Sequence, residues 1–372
     1  MNRLEFDSVE AVRAYLATSN DLTQAIFQAI DLCELKSELS TATCRHNVLL
    51  GCHVDEPTLA LLDSPVVFPQ LDEFPFRAFR GELYTPEELL GEYKIGDTDG
   101  HAKTLDGRCY QYYVDTGGAK STDAYVTLAR RLHDHSITDA LQDYVAGENV
   151  VAIMGGHSMP RGDGWYLEVA RLARDLTNAG FLVTSGGGPG AMEASHVGAW
   201  FAGRTDEELC DAVAMLSLAP KYDPVSPWMD AAFRVRERFP LNHNRESLGI
   251  PTWLYGHEPP TCFATRIAKY FANSVREEGL LAIANCGVIF TPGNEGTMQE
   301  VFQDAAQNRY VTFDHASPMI FYGEDYWKYR KPIYPALITA SANRTYGELI
   351  SITDRRETIV GTVQRFAKTL SK

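Results

Sequence analysis

The sequence predicts an α/β protein: a parallel sheet with helices on both faces, preceded by a smaller α+β domain. From Asn149 onward, short apolar runs alternate with segments of helical periodicity. Repeated strand and helix units of this kind build parallel sheets that are covered on both faces. The first 145 residues lack that alternation, so we predict an N-terminal α+β domain at 1–145 and the parallel-sheet domain at 146–372.

The N-terminal part contains local structure signals but no chemical signature. Residues 8–37 show helical spacing, and within this range Asn20 is suited to cap the helical segment that follows it. The apolar runs at 48–50 and 66–68 indicate strands. Thr85, followed by Pro and two acidic residues, is typical of a helix start. We detect no internal repeat in the sequence.

The C-terminal part contains five strand candidates. They are the apolar runs at 150–154, 181–184, 251–255, 288–290 and 318–322. Between the first two, residues 164–179 place apolar side chains on one helical face, and Gly180 is suited to end that helix. This order predicts repeated strand and helix units.

Composition and charge exclude several classes of function. The 372 residues are 45% hydrophobic and 22% charged, which is typical of a globular protein. The net charge of -15 argues against a nucleic-acid partner, because affinity for a polyanion depends largely on Lys and Arg. The seven cysteines contain no Cys-x-x-Cys, so neither a disulfide framework nor a zinc ribbon is predicted. Without a signal-peptide core or a membrane-length apolar run, we expect a cytoplasmic protein with no membrane partner.

Three glycine-rich clusters, at 155–158, 185–193 and 292–300, each follow a strand candidate. Parallel sheets bind ligands at the carboxyl ends of their strands, so three clusters at that edge indicate a ligand site, although one such turn alone would not. The second cluster also fits the dinucleotide pattern Gly-x-Gly-x-x-Ala. It follows the second strand, however, and lacks the acidic residue expected about 20 positions later, which disfavours NAD.

The third cluster joins a phosphate pocket to a carboxylate. It lies at a turn from strand to helix, where backbone N–H groups and the positive end of the helix dipole favour an anion without a lysine cluster. Glu300 follows about one helical turn later. We therefore expect a phosphate-bearing ligand with a carboxylate close to the group that carries the phosphate.

The segments SGGGPGAMEA at 185–194 and PGNEGTMQE at 292–300 resemble the paired motifs of the LOG (lonely-guy) family. The resemblance covers about 147–330 and implies a Rossmann-like nucleotide-binding domain. Many such proteins hydrolyse the N-glycosidic bond of a nucleoside 5′-monophosphate, giving free base and ribose 5-phosphate. It also implies a homodimer or higher homo-oligomer. We expect no cofactor and no metal site, because no His or Asp cluster has metal-ligand spacing.

Transferred position by position, the resemblance implies phosphate contacts from Gly293, Gly296 and Thr297, and catalytic roles for Glu300 and Arg276. Sugar and base contacts are implied for Gly186, Gly187, Gly188, Gly190 and Met192, and we also expect them from Ser158 and Glu193. The family's Arg precedes the motif Pro by about 15 residues. Because Arg276 precedes it by 16, a local adjustment is required, and Arg266 is the fallback.

Departures from the family motifs leave alternatives open. Asn294 replaces a glycine, which is tolerated if its backbone is left-handed, and Glu295 adds a negative charge beside the expected phosphate. Glu193 replaces another glycine and is either a second catalytic acid or base, or an acid that complements the helix dipole. The polar run at 242–246 either reaches the base or is a solvated loop.

The expected chemistry rests on Glu300. A nearby carboxylate stabilises an oxocarbenium-like sugar and orients or deprotonates the attacking water. Arg276 would hold the phosphate or Glu300 through a forked hydrogen bond. The alternative is a nucleotide sensor or carrier that keeps the phosphate pocket but does not turn over its ligand.

Overall fold

The computed structural model describes residues 3–370, which form two compact units. The first contains the chain up to Leu83 together with Thr116–Asp143, and the second contains Tyr84–Asp115 together with the chain from Tyr144 onward. One observed boundary lies two residues from the predicted one, but the segment Tyr84–Asp115 belongs to the second unit. Its first residue exchanges backbone hydrogen bonds of 2.8 and 3.0 Å with Ile267, a long-range contact that local sequence patterns do not reveal.

The described residues contain eleven strands and fifteen α-helices. The strands are β1 Glu5–Phe6, β2 Ile26–Gln28, β3 Val48–Leu50, β4 Val66–Phe68, β5 Val150–Met154, β6 Leu182–Ser185, β7 Ser247–Gly249, β8 Arg266–Ile267, β9 Gly287–Phe290, β10 Met319–Tyr322 and β11 Ile350–Thr353. The helices are α1 Val9–Leu16, α2 Lys36–Leu39, α3 Glu56–Leu59, α4 Pro86–Leu90, α5 Gly100–Lys103, α6 Leu105–Asp115, α7 Ala124–Val145, α8 Gly164–Asn178, α9 Ala191–Trp200, α10 Asp206–Leu216, α11 Val225–Arg238, α12 Asn273–Ala282, α13 Glu295–Tyr310, α14 Ile333–Ala340 and α15 Arg356–Leu370. No helix between residues 3 and 370 has the length and apolar character to span a membrane.

The first unit stacks short coils into a parallel sheet of order β1-β2-β3-β4. Gln24 and Ala29 have left-handed backbones, and so do His46 and Gly51, which lie 22 residues after them. The positions of the left-handed residues therefore repeat from one coil to the next. This structural repeat is not visible in the sequence because it conserves backbone conformation and burial rather than residue identity. The helical prediction for 8–37 holds for α1 and from Leu32 onward, where a 3-10 helix leads into α2. It is wrong at β2, where Phe27 is fully buried inside a coil.

The second unit is an α/β domain with the predicted parallel sheet and helices on both faces. Its seven strands have the order β11-β10-β9-β5-β6-β7-β8. Strands at 150–154, 181–184, 288–290 and 318–322 and the helix at 164–179 are confirmed. The predicted strand at 251–255 is wrong, because Trp253–Tyr255 form a short 3-10 helix in which the Trp253 indole donates to Asp106 Oδ1 at 3.0 Å. The adjoining strands β7 and β8 are only three and two residues long, too short to be recognised as apolar runs.

The sheet changes direction of winding at β5. This strand pairs with β6 on one side and with β9 on the other, while the chain passes through β6, β7 and β8 before it returns to β9. A crevice forms outside the carboxyl ends of the strands at such a point, and open α/β sheets bind ligands there. The loops after β5, β6 and β9 therefore define the place to search for a functional site.

Candidate functional site

The three glycine-rich loops meet at the carboxyl edge of the sheet. Gly156 donates its N–H to the Pro292 carbonyl at 3.1 Å, and Ala191 donates to the Gly156 carbonyl at 3.1 Å. Thr291 donates both its N–H, at 2.8 Å, and its hydroxyl, at 3.0 Å, to the Met154 carbonyl. The loops after β5, β6 and β9 thus form one continuous surface held by backbone hydrogen bonds.

Glycine is required in these loops mainly where backbones approach closely. Gly190 has φ +70°, and a Cβ at this position would overlap the Gly156 and His157 carbonyl oxygens. A Cβ at Gly293 would overlap the Thr297 hydroxyl, which is itself buried. Two of the predicted ligand contacts, Gly190 and Gly293, therefore have a structural reason to be glycine.

Gly296 differs from those two positions. It is exposed within the first turn of α13, and a Cβ built on it would meet no atom within 4 Å. The first N–H groups of a helix have no partner inside the helix, and they point out of its N-terminal end. Of the three predicted phosphate residues, Gly296 is the exposed one, whereas Gly293 and Thr297 are buried in the turn.

Arg276 and Glu300 lie together beside these loops. The Arg276 Nη1 atom is 4.0 Å from Glu300 Oε1, and the two side chains are 9% and 13% exposed. Arg276 is fixed by a 2.8 Å hydrogen bond from its Nε to the Ile250 carbonyl. Arg276 precedes Pro292 by 16 residues rather than about 15, but its side chain still reaches Glu300. The extra residue is accommodated because α12 ends at Ala282 and irregular chain leads from there to β9. The fallback residue, Arg266, lies instead on β8 and contacts Glu246 at 3.3 Å.

The environment of Glu300 changes its acidity. Burial raises the pKa of its carboxyl to about 7, against the opposing effect of the Arg276 charge and with a further increase from Glu277. A carboxyl that titrates near neutral pH is well matched to proton transfer at that pH. Perturbed carboxyls in crevices are also characteristic of functional sites.

The second glycine loop supplies the wall next to Arg276. A Cβ at Gly186 would lie 2.7 Å from Arg276 Nη2 and would overlap Met192 Sδ, so both side chains rest directly on this glycine. A Cβ at Gly188 would lie 3.0 Å from Met192 Cε. Gly187, with φ +72°, instead packs its Cα against the backbone of Gly249 at the end of β7. Gly186, Gly188 and Met192 thus belong to the same surface as the catalytic candidates.

Glu193 lies outside this surface. It is fully buried, and its carboxylate accepts hydrogen bonds from Arg161 Nε at 2.7 Å and from the Tyr166 hydroxyl at 2.8 Å. Arg161 also donates to the Trp228 carbonyl at 2.9 Å and is 1% exposed. The prediction that Glu193 contacts the sugar is therefore corrected. Glu193 lies in the first turn of α9 and holds this helix through a buried ion pair.

The two unusual residues of the third loop are both exposed. Asn294 replaces a glycine of the family motif, a change that was expected to be tolerated if the backbone there is left-handed. Its φ of -102° shows that the backbone is not left-handed. Glu295 begins α13. The Tyr326 hydroxyl, which the sequence did not indicate, donates to the Gly293 carbonyl and holds the loop in place.

A second carboxylate near the site was also missed by the sequence analysis. Glu258 is 13% exposed at its side chain, and its Oε1 lies 4.0 Å from His157 Nε2. Its Oε2 would lie 3.6 Å from a Cβ at Gly188. Ser158, the remaining predicted contact, is exposed in the same loop as His157. No strand or glycine motif marks position 258, so the sequence offered no signal for it.

The polar run at 242–246 lies at the other edge of the sheet. It directly precedes β7, whose pairing with β6 is parallel, so it is at the amino ends of the strands. Residues 244–246 line two cavities of about 220 and 300 Å³ there. A ligand held by the glycine loops would not reach this run, which leaves the solvated-loop interpretation.

Comparison with known proteins identifies no family. No family model matches the sequence, and no curated protein matches it. Two solved structures of the molybdenum cofactor carrier protein of Chlamydomonas reinhardtii are similar to 60% of this chain and 99% of their own, with 12% identity and a TM-score of 0.34. A similarity this weak carries no conclusion about activity.

Proposed function

We propose that the second unit hydrolyses the N-glycosidic bond of a nucleoside 5′-monophosphate, releasing a free base and ribose 5-phosphate. The observation that carries this proposal is the pairing of Arg276 with Glu300 at 4.0 Å beside the N-terminus of α13. An anion-binding helix end and a carboxylate with a pKa near 7 are thereby close together.

The phosphate would bind at the first turn of α13. Its sixteen residues provide a helix dipole whose positive end lies at Gly296, and the orphan N–H groups of that turn are suitable donors. Arg276 supplies a nearby guanidinium for one phosphate oxygen or for the carboxylate of Glu300. This arrangement would allow a chain of net charge -15 to bind a phosphate without a lysine cluster.

Glu300 would act on the ribose and the attacking water. As the bond between C1′ and the base nitrogen breaks, positive charge develops on the sugar, and an adjacent carboxylate stabilises that charge. The water oxygen forms the new bond to C1′. One proton of the water passes to the Glu300 carboxylate and is then transferred to the departing base nitrogen, so the carboxylate is regenerated and the products are neutral base and ribose 5-phosphate.

The test measures ribose 5-phosphate after incubation of the full chain with purine and pyrimidine nucleoside monophosphates. We expect release by the wild type and a loss of at least about 100-fold in Glu300→Gln, a size typical of removing a general base. Glu278→Gln is the matched control, because it removes an exposed acid on α12 without altering the pair. Equal rates for Glu300→Gln and the control would refute the proposed role.

The second candidate is a nucleotide sensor or carrier. It is favoured by the departures from the family motif at Asn294 and Glu295, which change the loop before Glu300 while the N–H groups of the first turn of α13 remain suited to an anion. Calorimetric titration with the same nucleotides separates the two proposals. Saturable binding without release of base supports the carrier, and absence of binding by every monophosphate contradicts both.

A further inference from the structure

Three potential metal ligands converge in the first unit. The ligand atoms of Asp31, Cys33 and His53 all lie within 4.8 Å of one another. His53 Nδ1 is 3.0 Å from Asp31 Oδ1 and 3.8 Å from Cys33 Sγ. The sequence predicts no metal site, because no His or Asp cluster has metal-ligand spacing, and His53 is about 20 residues from the other two ligands.

The stacked coils bring these residues together. Asp31 and His53 occupy matching positions of adjacent coils and pair as a parallel bridge. The N–H of Leu32 donates to the His53 carbonyl at 2.9 Å, and the N–H of His53 donates to the Ile30 carbonyl at 3.0 Å. Because backbone hydrogen bonds fix both positions, the approach of the two side chains is built into the coil register.

Cys33 is placed by the same carboxylate. Asp31 caps the 3-10 helix Leu32–Leu35, and its Oδ1 accepts the Cys33 N–H at 2.9 Å. The same carboxylate oxygen lies 3.0 Å from His53 Nδ1, and the Cys33 thiol lies 3.8 Å from that nitrogen. Three different donor types, a carboxylate, a thiol and an imidazole, are therefore directed to one point.

We propose that Asp31, Cys33 and His53 bind a zinc-class divalent ion. Zinc binds thiolate sulfur at about 2.3 Å and imidazole nitrogen at about 2.0 Å in tetrahedral sites, which puts these two ligand atoms roughly 3.5 Å apart. The observed sulfur to nitrogen distance of 3.8 Å is close to that requirement. A mixed set with a thiolate also selects zinc over magnesium, which prefers oxygen ligands alone.

An ion pair between Asp31 and His53 does not by itself account for the cluster. It explains the 3.0 Å contact, and Asp31 raises the pKa of the His53 imidazole. It does not explain why the Cys33 thiol approaches the same ring nitrogen, which carries at most one proton. On binding the metal, the thiol loses its proton and the imidazole binds in its neutral form, so protons are released to solvent.

The geometry also defines the type of site. The His53 and Asp31 side chains are 66% and 40% exposed, so a fourth coordination position faces water and the ion can exchange. By contrast, burial raises the pKa of the Cys44 and Cys52 thiols to about 11, which disfavours the thiolate that a metal needs. The bound ion would link one coil to the next and stabilise the stack.

The test titrates Co²⁺ into the full-length protein and follows the near-ultraviolet charge-transfer absorption of a cobalt thiolate. We expect this band in the wild type, its displacement by Zn²⁺, and its persistence in excess Mg²⁺. Cys33→Ser should abolish the band and lower zinc affinity by more than about 100-fold, since even indirect partners of a metal ligand are worth about 10–100-fold.

The matched control is Cys210→Ser, because Cys210 is the other cysteine that is not buried. His53→Ala provides an independent variant, and circular dichroism establishes that each variant is folded. The band should be lost in Cys33→Ser, weakened in His53→Ala and unchanged in the control. Absence of the band in the wild type, or an equal band in Cys33→Ser, would overturn the proposal.

Discussion

Replacing Glu300 by Gln is expected to stabilise the second unit at alkaline pH. Burial raises the pKa of this carboxyl from an ordinary 4.5 to about 7. Each pKa unit corresponds to about 1.4 kcal/mol, so ionising the folded carboxyl costs about 3 kcal/mol relative to the unfolded chain. Glutamine has nearly the shape of the protonated side chain and carries no such cost.

The sign follows from proton binding. The folded state holds the Glu300 proton more tightly than the unfolded chain, so this residue's contribution to the free energy of unfolding falls as the pH rises from 4.5 to about 7 and is constant above that. The variant lacks this decline. We expect it to match the wild type near pH 4.5 and to exceed it by about 3 kcal/mol at pH 8.

Urea denaturation at several pH values measures this difference. Trp165, Trp200, Trp228, Trp253 and Trp327 are the five tryptophans of the chain, and all lie in the second unit, so their fluorescence reports its unfolding. Taking the difference between variant and wild type removes the contributions of other titrating groups. A difference that does not change with pH, or a variant that is less stable at pH 8, would refute the argument.

Three further predictions concern the site and its supports. Arg276→Met should shift the pH dependence of kcat/KM to higher pH, because the Arg276 charge lowers the pKa of Glu300; in the wild type this rate should rise about tenfold per unit below pH 7. Glu193→Ala leaves a buried guanidinium unpaired, so chemical denaturation should show a loss of about 3–5 kcal/mol, and a loss below 1 kcal/mol would contradict the buried pair. Gly190→Ala should destabilise the fold by more than about 1 kcal/mol, because the new Cβ would overlap two backbone carbonyls. Gly279→Ala, in open space on α12, should stabilise the fold by about 0.5–1 kcal/mol. Equal shifts of the thermal midpoint would contradict the close backbone approach at Gly190.

The elements that were predicted correctly have strong local signals. The runs at β5 and β9 consist largely of apolar residues and are fully buried, and the helix α8 combines one apolar face with a glycine after its end. The strand β7 reads Ser-Leu-Gly, which has no strand pattern of its own. It is a strand because it pairs with β6 and β8 in the interior of the sheet, a long-range effect.

The candidate site was predicted in part. Glu300 was proposed from the strand-to-helix turn with glycines, which is a local pattern, and Arg276 from the family resemblance; the structure places the two side chains 4.0 Å apart. Glu258 and Tyr326 escaped detection, since they approach the loops from segments without a motif. Glu193 was misplaced because its partner, Arg161, is 32 positions away and is brought to it only by the packing of α9.

The sequence alone determined the class of the second unit, the edge of the sheet that carries the glycine loops, and the presence of a carboxylate one turn into α13. These properties depend on periodicity and on turns, which are encoded within a few residues. The tertiary structure decided that Arg276 lies 4.0 Å from Glu300, that the pKa of Glu300 is raised to about 7, and that Asp31, Cys33 and His53 meet. Distances between side chains and the exclusion of water depend on how remote segments pack, and no local pattern specifies them.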